Sequence, residues 1–264
     1  MTDTVSDILF EHPLNQPMRN FLRLESMLRH LSQSIFEGTR DNHQSAVLVL
    51  IKLLDTLTRG DIKGELIKEL EIQQHHFQQL VDNPAVDSVK LKNFLKQLEK
   101  LHHWAINSKG RIGDELRRQP FIESLVKKEG LLAGATSFDS PELCRFIALS
   151  EKSRKEYFKQ WMTQLNGLRT SIEVLLRLTR EMSAFEPVTA PLGDYLIEKP
   201  DLGASLLRIA LPADSRVFPE VSAGKHRISI HFYTLSTDLI KKKVSGEIPF
   251  KYATCGWKVS STHE

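Results

Sequence analysis

A change of hydrophobic period close to residue 185 constrains this 264-residue chain more than any other feature. Up to about Met182, apolar residues recur three and four positions apart, the spacing that lines one face of an α-helix. Met18, Phe21, Leu22, Leu28, Leu31 and Ile35 mark a first long helix from Pro17, which Gly38 ends. Asp41 or Asn42 caps a second through Leu57, so continuously apolar that it reads as a central, buried element. A third runs from Ile62 to Val81, capped by Asp61 and stopped at Asn83-Pro84. A fourth starts at Asp87 or Ser88 and carries Leu91, Leu98, Leu101 and Trp104 inward. Gly113 to Lys128 is helical with an interruption at Pro120, and Ser140-Pro141-Glu142 opens another helix. The last pattern, Ser153 to Met182, divides at Asn166-Gly167.

After Pro187 and Pro191 the period falls to two. Tyr195 to Ile197, Ser205 to Leu211, Arg227 to Leu235 and Glu247 to Thr254 are short runs bounded by Gly, Pro, Asp or Ser. In the third, Ile228, Ile230 and Phe232 alternate with Arg227, Ser229 and His231, so one face is apolar and the other polar. The expected fold is therefore mainly α with a small antiparallel β-domain, an α+β chain. A helical bundle body spans residues 1–185 and a β-strand domain spans 186–264. The Gly-rich stretch 130–138 is expected to add a strand to the second.

Several functions lack support in the residues. No apolar run approaches the roughly 20 residues that cross a bilayer, and the N-terminus lacks the basic start and apolar stretch of a secretory signal. Cys144 and Cys255 are the only cysteines, which fits two reduced thiols and a cytoplasmic protein. Motifs for zinc proteases, phosphate-binding loops, dinucleotide folds and serine hydrolases are missing. His75-His76 and His102-His103 read as solvent-facing, because adjacent helical residues point about 100° apart and cannot chelate together. Neither catalysis, a metal nor a cofactor is expected.

The positive signal is charge. Between Gly224 and Ser260 seven basic residues face two acidic ones, an excess larger than the +3 of the whole chain. Such a local field suits an acidic partner. The polar face of the strand from Arg227, preceded by Lys225, offers a cation, a hydroxyl and a histidine to a carboxylate; it is equally the solvated face that any antiparallel sheet owns. Arg59, in the turn Thr58-Arg59-Gly60-Asp61, reads either as a binding residue or as a cation at a helix C-terminus. The run Lys241-Lys242-Lys243 belongs to a hairpin and by itself is a solubilising feature. With a pI of about 8.8, the same basic patch supports an alternative, nucleic-acid binding.

Taken in order, a set of short motifs resembles the ZapD family of bacterial cell division proteins. It begins with Leu9-Phe10-Glu11-His12-Pro13-Leu14-Asn15 and Met18-Arg19, then Arg59-Gly60 and Glu65-Leu66-Ile67-Lys68-Glu69-Leu70 with Gln73-Gln74. It resumes at Arg111-Ile112-Gly113, Leu116-Arg117, Ser137-Phe138-Asp139, Leu206-Leu207-Arg208 and Lys225-His226-Arg227. The resemblance implies a cytoplasmic homodimer at the midcell division site. It would hold the C-terminal tail of FtsZ, a tubulin-like GTPase, and cross-link FtsZ filaments into bundles that stabilise the division ring. The family's basic pocket carries over to Arg59 and Arg227. Glu247 stands at a further basic position of the family and His231 where a close relative has arginine, with Lys225 and Lys251 left to compensate. Membrane insertion is not implied, and the protein-binding set is Arg59, Lys225, Arg227, His231 and Lys251.

Overall fold

The computed structural model describes residues 7–81, 83, 87–128, 138–201, 203–224 and 226–256. Among the described residues, two compact units emerge: Asn20–Leu176, and a second assembled from Met1–Arg19 together with Arg177–Glu264. The architecture is α+β, as the two hydrophobic periods require. Lys225 and residues 130–137 of the expected extra strand lie outside the described residues, and Phe138 is in a turn.

The helices follow local signals closely. They are α1 (Gln16–Glu37), α2 (Arg40–Thr58), α3 (Ile62–Gln78), α4 (Ser88–Asn107), α5 (Asp114–Arg117), α6 (Pro120–Val126), α7 (Pro141–Ile147), α8 (Glu151–Gln164) and α9 (Asn166–Glu181). Side chains of Asp61, Asp87 and Ser140 accept the first free backbone N–H groups of α3, α4 and α7. Pro120 and Pro141 occupy first turns, where a missing N–H leaves nothing unpaired. The cap of α2 is Thr39, two residues before the expected Asp41. Helix α2 is buried on several sides, with His43, Ala46, Val47, Leu50, Ile51, Leu53, Leu54 and Leu57 all inaccessible.

At the N-terminal end of α2 a buried guanidinium replaces apolar packing. Arg154 of α8 is 3% exposed, and its hydrogen bonds go to a histidine and to backbone carbonyls. Its Nε donates to His43 Nδ1 at 2.7 Å, Nη1 to the carbonyls of Ile147 and Leu149, and Nη2 to the carbonyl of Gly38. Because His43 Nδ1 accepts, its other nitrogen carries the proton and donates to the Ile35 carbonyl at 3.2 Å. Burial, foremost, pushes the His43 pKa below the ordinary imidazole value; the Ile35 carbonyl pulls the other way, and the Arg154 charge adds to the lowering. In the unfolded chain His43 takes a proton as pH falls through about 6.5, whereas in the fold it resists. Stability tied to neutral His43 is therefore complete above about pH 6.5 and declines as the pH drops below it. Thermal midpoints measured between pH 7.5 and 5 should fall, and His43→Gln should flatten that slope while lowering the midpoint at pH 7.5. An unchanged slope in the variant would locate the titration elsewhere.

The β unit is a two-sheet sandwich. Its strands are β1 (Ile8–Pro13), β2 (Glu186–Ala190), β3 (Asp194–Glu198), β4 (Ala204–Leu211), β5 (Val217–Ala223), β6 (Arg227–Leu235), β7 (Lys241–Lys243) and β8 (Ile248–Gly256). One sheet has the order β1-β4-β8-β2; the other has β3-β6-β5, with β7 also on β6, and every pairing is antiparallel. Leu207, Ile209, Leu211 and Phe250 from the first meet Ile228, Ile230 and Phe232 from the second in one dry core. A single 3-10 turn at Pro191–Gly193 carries the chain between sheets. Gly193 has φ +72°, and a Cβ there would lie 2.2 Å from the Val244 carbonyl oxygen, so only glycine fits the crossing.

The expected helical span 1–185 and the observed division differ at both ends, for a reason of pairing. Ile8–Pro13 is a strand, registered against Leu206–Leu211 at the edge of the first sheet. Its Glu11 is gripped by Arg180 through two bonds of 2.8 and 2.7 Å, with Arg208 Nε 3.3 Å away. Two guanidiniums around one partly buried carboxylate fix the strand in place more firmly than its six residues could alone.

Candidate functional site

The outer face of the second sheet carries the polar half of the β6 alternation. While Ile228, Ile230 and Phe232 are at most 1% exposed, Arg227, Ser229, His231 and Tyr233 point the opposite way. Register fixes their neighbours. On β3, Glu198 opposes Arg227, Leu196 opposes Ser229 and Asp194 opposes His231. On β5, Ser222, Glu220 and Phe218 oppose Ser229, His231 and Tyr233.

Most cations on this face already hold an intrachain carboxylate. Asp194 accepts from His231 Nδ1 at 2.7 Å through one oxygen and from Lys243 Nζ at 2.7 Å through the other. Those two hydrogen bonds, His231 first, hold its pKa below the usual carboxylate range, and Asp194 in turn raises that of Lys243. An ionised Asp194 requires a proton on His231 Nδ1. Lys241 lies 4.0 Å above the Tyr233 ring and bonds Glu220. Two of the three lysines in the basic run are thus neutralised locally.

Arg227 differs. It is exposed at the first position of β6, and among the described residues it makes no ion pair, even with Glu198 across the ladder. Beside it stands Lys199, which the sequence reading did not single out. Lys199 adopts φ +53° in the turn after β3, and its N–H bonds the carbonyl of His226 at 3.2 Å. His226, Arg227 and Lys199 are all exposed at one end of the sheet, with the carboxylate of Glu198 on the rung opposite Arg227. The only hint in the sequence was the turn Glu198-Lys199-Pro200-Asp201, which places a cation at a strand end.

The remaining proposed residues occupy other surfaces. Lys251 is on β8, in the first sheet, where its Nζ lies 2.9 Å from Asp7 Oδ2. Arg59 belongs to the helical unit as the residue closing α2. Its side chain is 80% exposed but grips Asp55 with Nε and Nη2, both at 2.7 Å. Both bonds go to one oxygen, Asp55 Oδ2, on one edge of the guanidinium. Glu247 is exposed just before β8, after the bend at Gly246.

The two thiols offer no nucleophile to this face. Cys144 is an exposed free thiol on α7, and Cys255 is buried on β8, where burial pushes its pKa up. No described helix is long and apolar enough to cross a membrane.

Comparison with known proteins covers nearly the whole chain. Residues 22–231 match the family model described as ZapD, cell division protein. A cell division protein ZapD from Photorhabdus laumondii is 31% identical over 255 residues, covering 97% of this chain and 100% of the relative. Relatives of the same name from Pectobacterium carotovorum and Yersinia enterocolitica are each 32% identical, over 259 and 258 residues, with 97% of this chain and 100% of each relative covered.

Proposed function

The chain belongs to the ZapD family of cell division proteins, and from that premise we propose that it binds the C-terminal tail of FtsZ and bridges FtsZ filaments as a homodimer at midcell. It acts by binding rather than by catalysis. One observation carries this reading: Arg227, alone among the cations of β6 and β7 with Lys242, has no intrachain carboxylate among the described residues, and it is exposed beside Lys199.

An FtsZ tail is a flexible segment with acidic and apolar side chains. Ordering it on binding costs about 2–5 kcal/mol. A charge-assisted bond from Arg227 to a carboxylate returns about 1.5–3 kcal/mol, and the apolar rungs Leu196 and Phe218 of the same face add contact. One tail therefore binds modestly. A symmetric dimer presents the same corner twice, and a filament presents many tails, so repeated engagement raises avidity by about 10²–10⁴. When the two corners of a dimer hold tails of different filaments, a bridge results.

The decisive experiment is co-sedimentation of the purified protein with polymers of full-length FtsZ and of FtsZ lacking its C-terminal tail. Pelleting with the first and not the second is the expected result; equal pelleting with both would remove the tail from the mechanism. A variant kept monomeric should still bind an isolated tail peptide while losing bundling. Against nucleic acid as the alternative partner stands the pairing of Lys241 and Lys243 with Glu220 and Asp194, which leaves little free charge for phosphates. A gel shift at moderate salt should show no retarded band.

A further inference from the structure

A second anionic-peptide subsite lies on the other sheet, and resting on the tail-binding reading above, we propose that Asp7 is a built-in competitor for it. Leu9, Ala210, Lys251 and Pro187 form one row across the outer face of the first sheet, from β1 through β4 and β8 to β2. In the middle of that row Ala210 contributes only a methyl group. The recess it leaves is walled by Pro187, Pro212 and Pro249 and forms a cleft of about 320 Å³. That is at the small end of ligand pockets, which run from about 300 to 1,000 Å³, and suits one or two peptide side chains. Its walls are apolar, and its one basic group is Lys251 at the rim, half exposed.

An apolar recess with a single cation at its mouth complements an extended peptide that carries an apolar side chain next to a carboxylate. In the free protein a carboxylate is already in place: Asp7, just before β1, reaches Lys251 across the gap left by Ala210. Both partners are accessible, at 52% and 36%. Exposed pairs of this kind are weak, so an incoming carboxylate displaces Asp7, and the displacement lowers affinity. The tail is then read at two places, the Arg227 corner and this cleft, the second gated by the chain's own acid.

The test uses the full-length chain and a fluorescein-labelled peptide of the FtsZ C-terminal tail, with binding read by anisotropy. Asp7→Asn should tighten binding about two- to fivefold, the range of one exposed ion pair. Lys251→Ala should weaken it by a similar factor, and Asp7→Asn combined with Lys251→Ala should match Lys251→Ala alone, because the gain needs the lysine. Thr189→Trp, an exposed position on the rim, should weaken binding by filling the cleft. Unchanged or weaker binding by Asp7→Asn, no loss with Lys251→Ala, or a gain that persists in the double variant would overturn the inference. If those results come with abolished binding by Arg227→Glu, tail binding stands and only the Asp7 gate falls. If the unmodified protein does not bind the peptide at all, both fall.

Discussion

Arg227→Glu should abolish co-sedimentation with FtsZ polymers while leaving dimeric mass and circular dichroism unchanged. The side chain is exposed at the first residue of β6, outside the Ile228–Ile230–Phe232 core, so the exchange removes no packing. It does remove a charge-assisted bond worth about 1.5–3 kcal/mol, and it sets a carboxylate against the partner's own. A loss of that size weakens a single tail by about ten- to a hundredfold, since each 1.4 kcal/mol is a factor of ten. In the proposed dimer the loss occurs at both corners, so the avidity proposed to make bundles fails with it. Arg59→Glu should cost less, because Asp55 already holds the Nε edge of that guanidinium and shares its charge. Bundling retained by a folded Arg227→Glu protein would refute the placement of the site.

Arg154→Met should destabilise the helical unit by about 3–5 kcal/mol in urea unfolding. Methionine fills similar space yet leaves His43 Nδ1 and the carbonyls of Gly38, Ile147 and Leu149 without a donor in a buried site. Each orphaned acceptor costs about 1–3 kcal/mol, partly relieved by local relaxation. Arg154→Lys should recover little, since one ammonium cannot span four acceptors set in a guanidinium's planar fork. A loss below about 1 kcal/mol would mean that water or a neighbouring side chain takes over those groups.

Local signals made the helices and the central strand readable. Asp61, Asp87 and Ser140 cap the helices they precede because a side-chain oxygen two or three residues from a free N–H is a purely local event. The β6 alternation was equally local. What escaped was whatever depends on partners distant in sequence. Ile8–Pro13 carries no strand signature of its own; it is a strand because β4 lies beside it and because Arg180 and Arg208 hold Glu11. Val217–Ala223 contains Pro219, which argues against a strand yet is tolerated at an edge. At the candidate site, Arg227 and His231 were legible as cations on a polar face. The carboxylates that distinguish them were not, for Asp194 lies 37 residues from His231 and Asp7 lies 244 from Lys251.

The β unit is closed by the first strand of the chain and the last: β8 lies between β4 and β2, and β1 pairs across some two hundred residues, Ile8 with Leu211. During synthesis from the N-terminus, β1 emerges early and waits unpaired, whereas Asn20–Leu176 can fold as soon as it leaves the ribosome. The sandwich is completed only after Ile248–Gly256 is made. A chain cut short before Ile248 therefore lacks the strand that joins β4 to β2, and its first sheet stays in two parts.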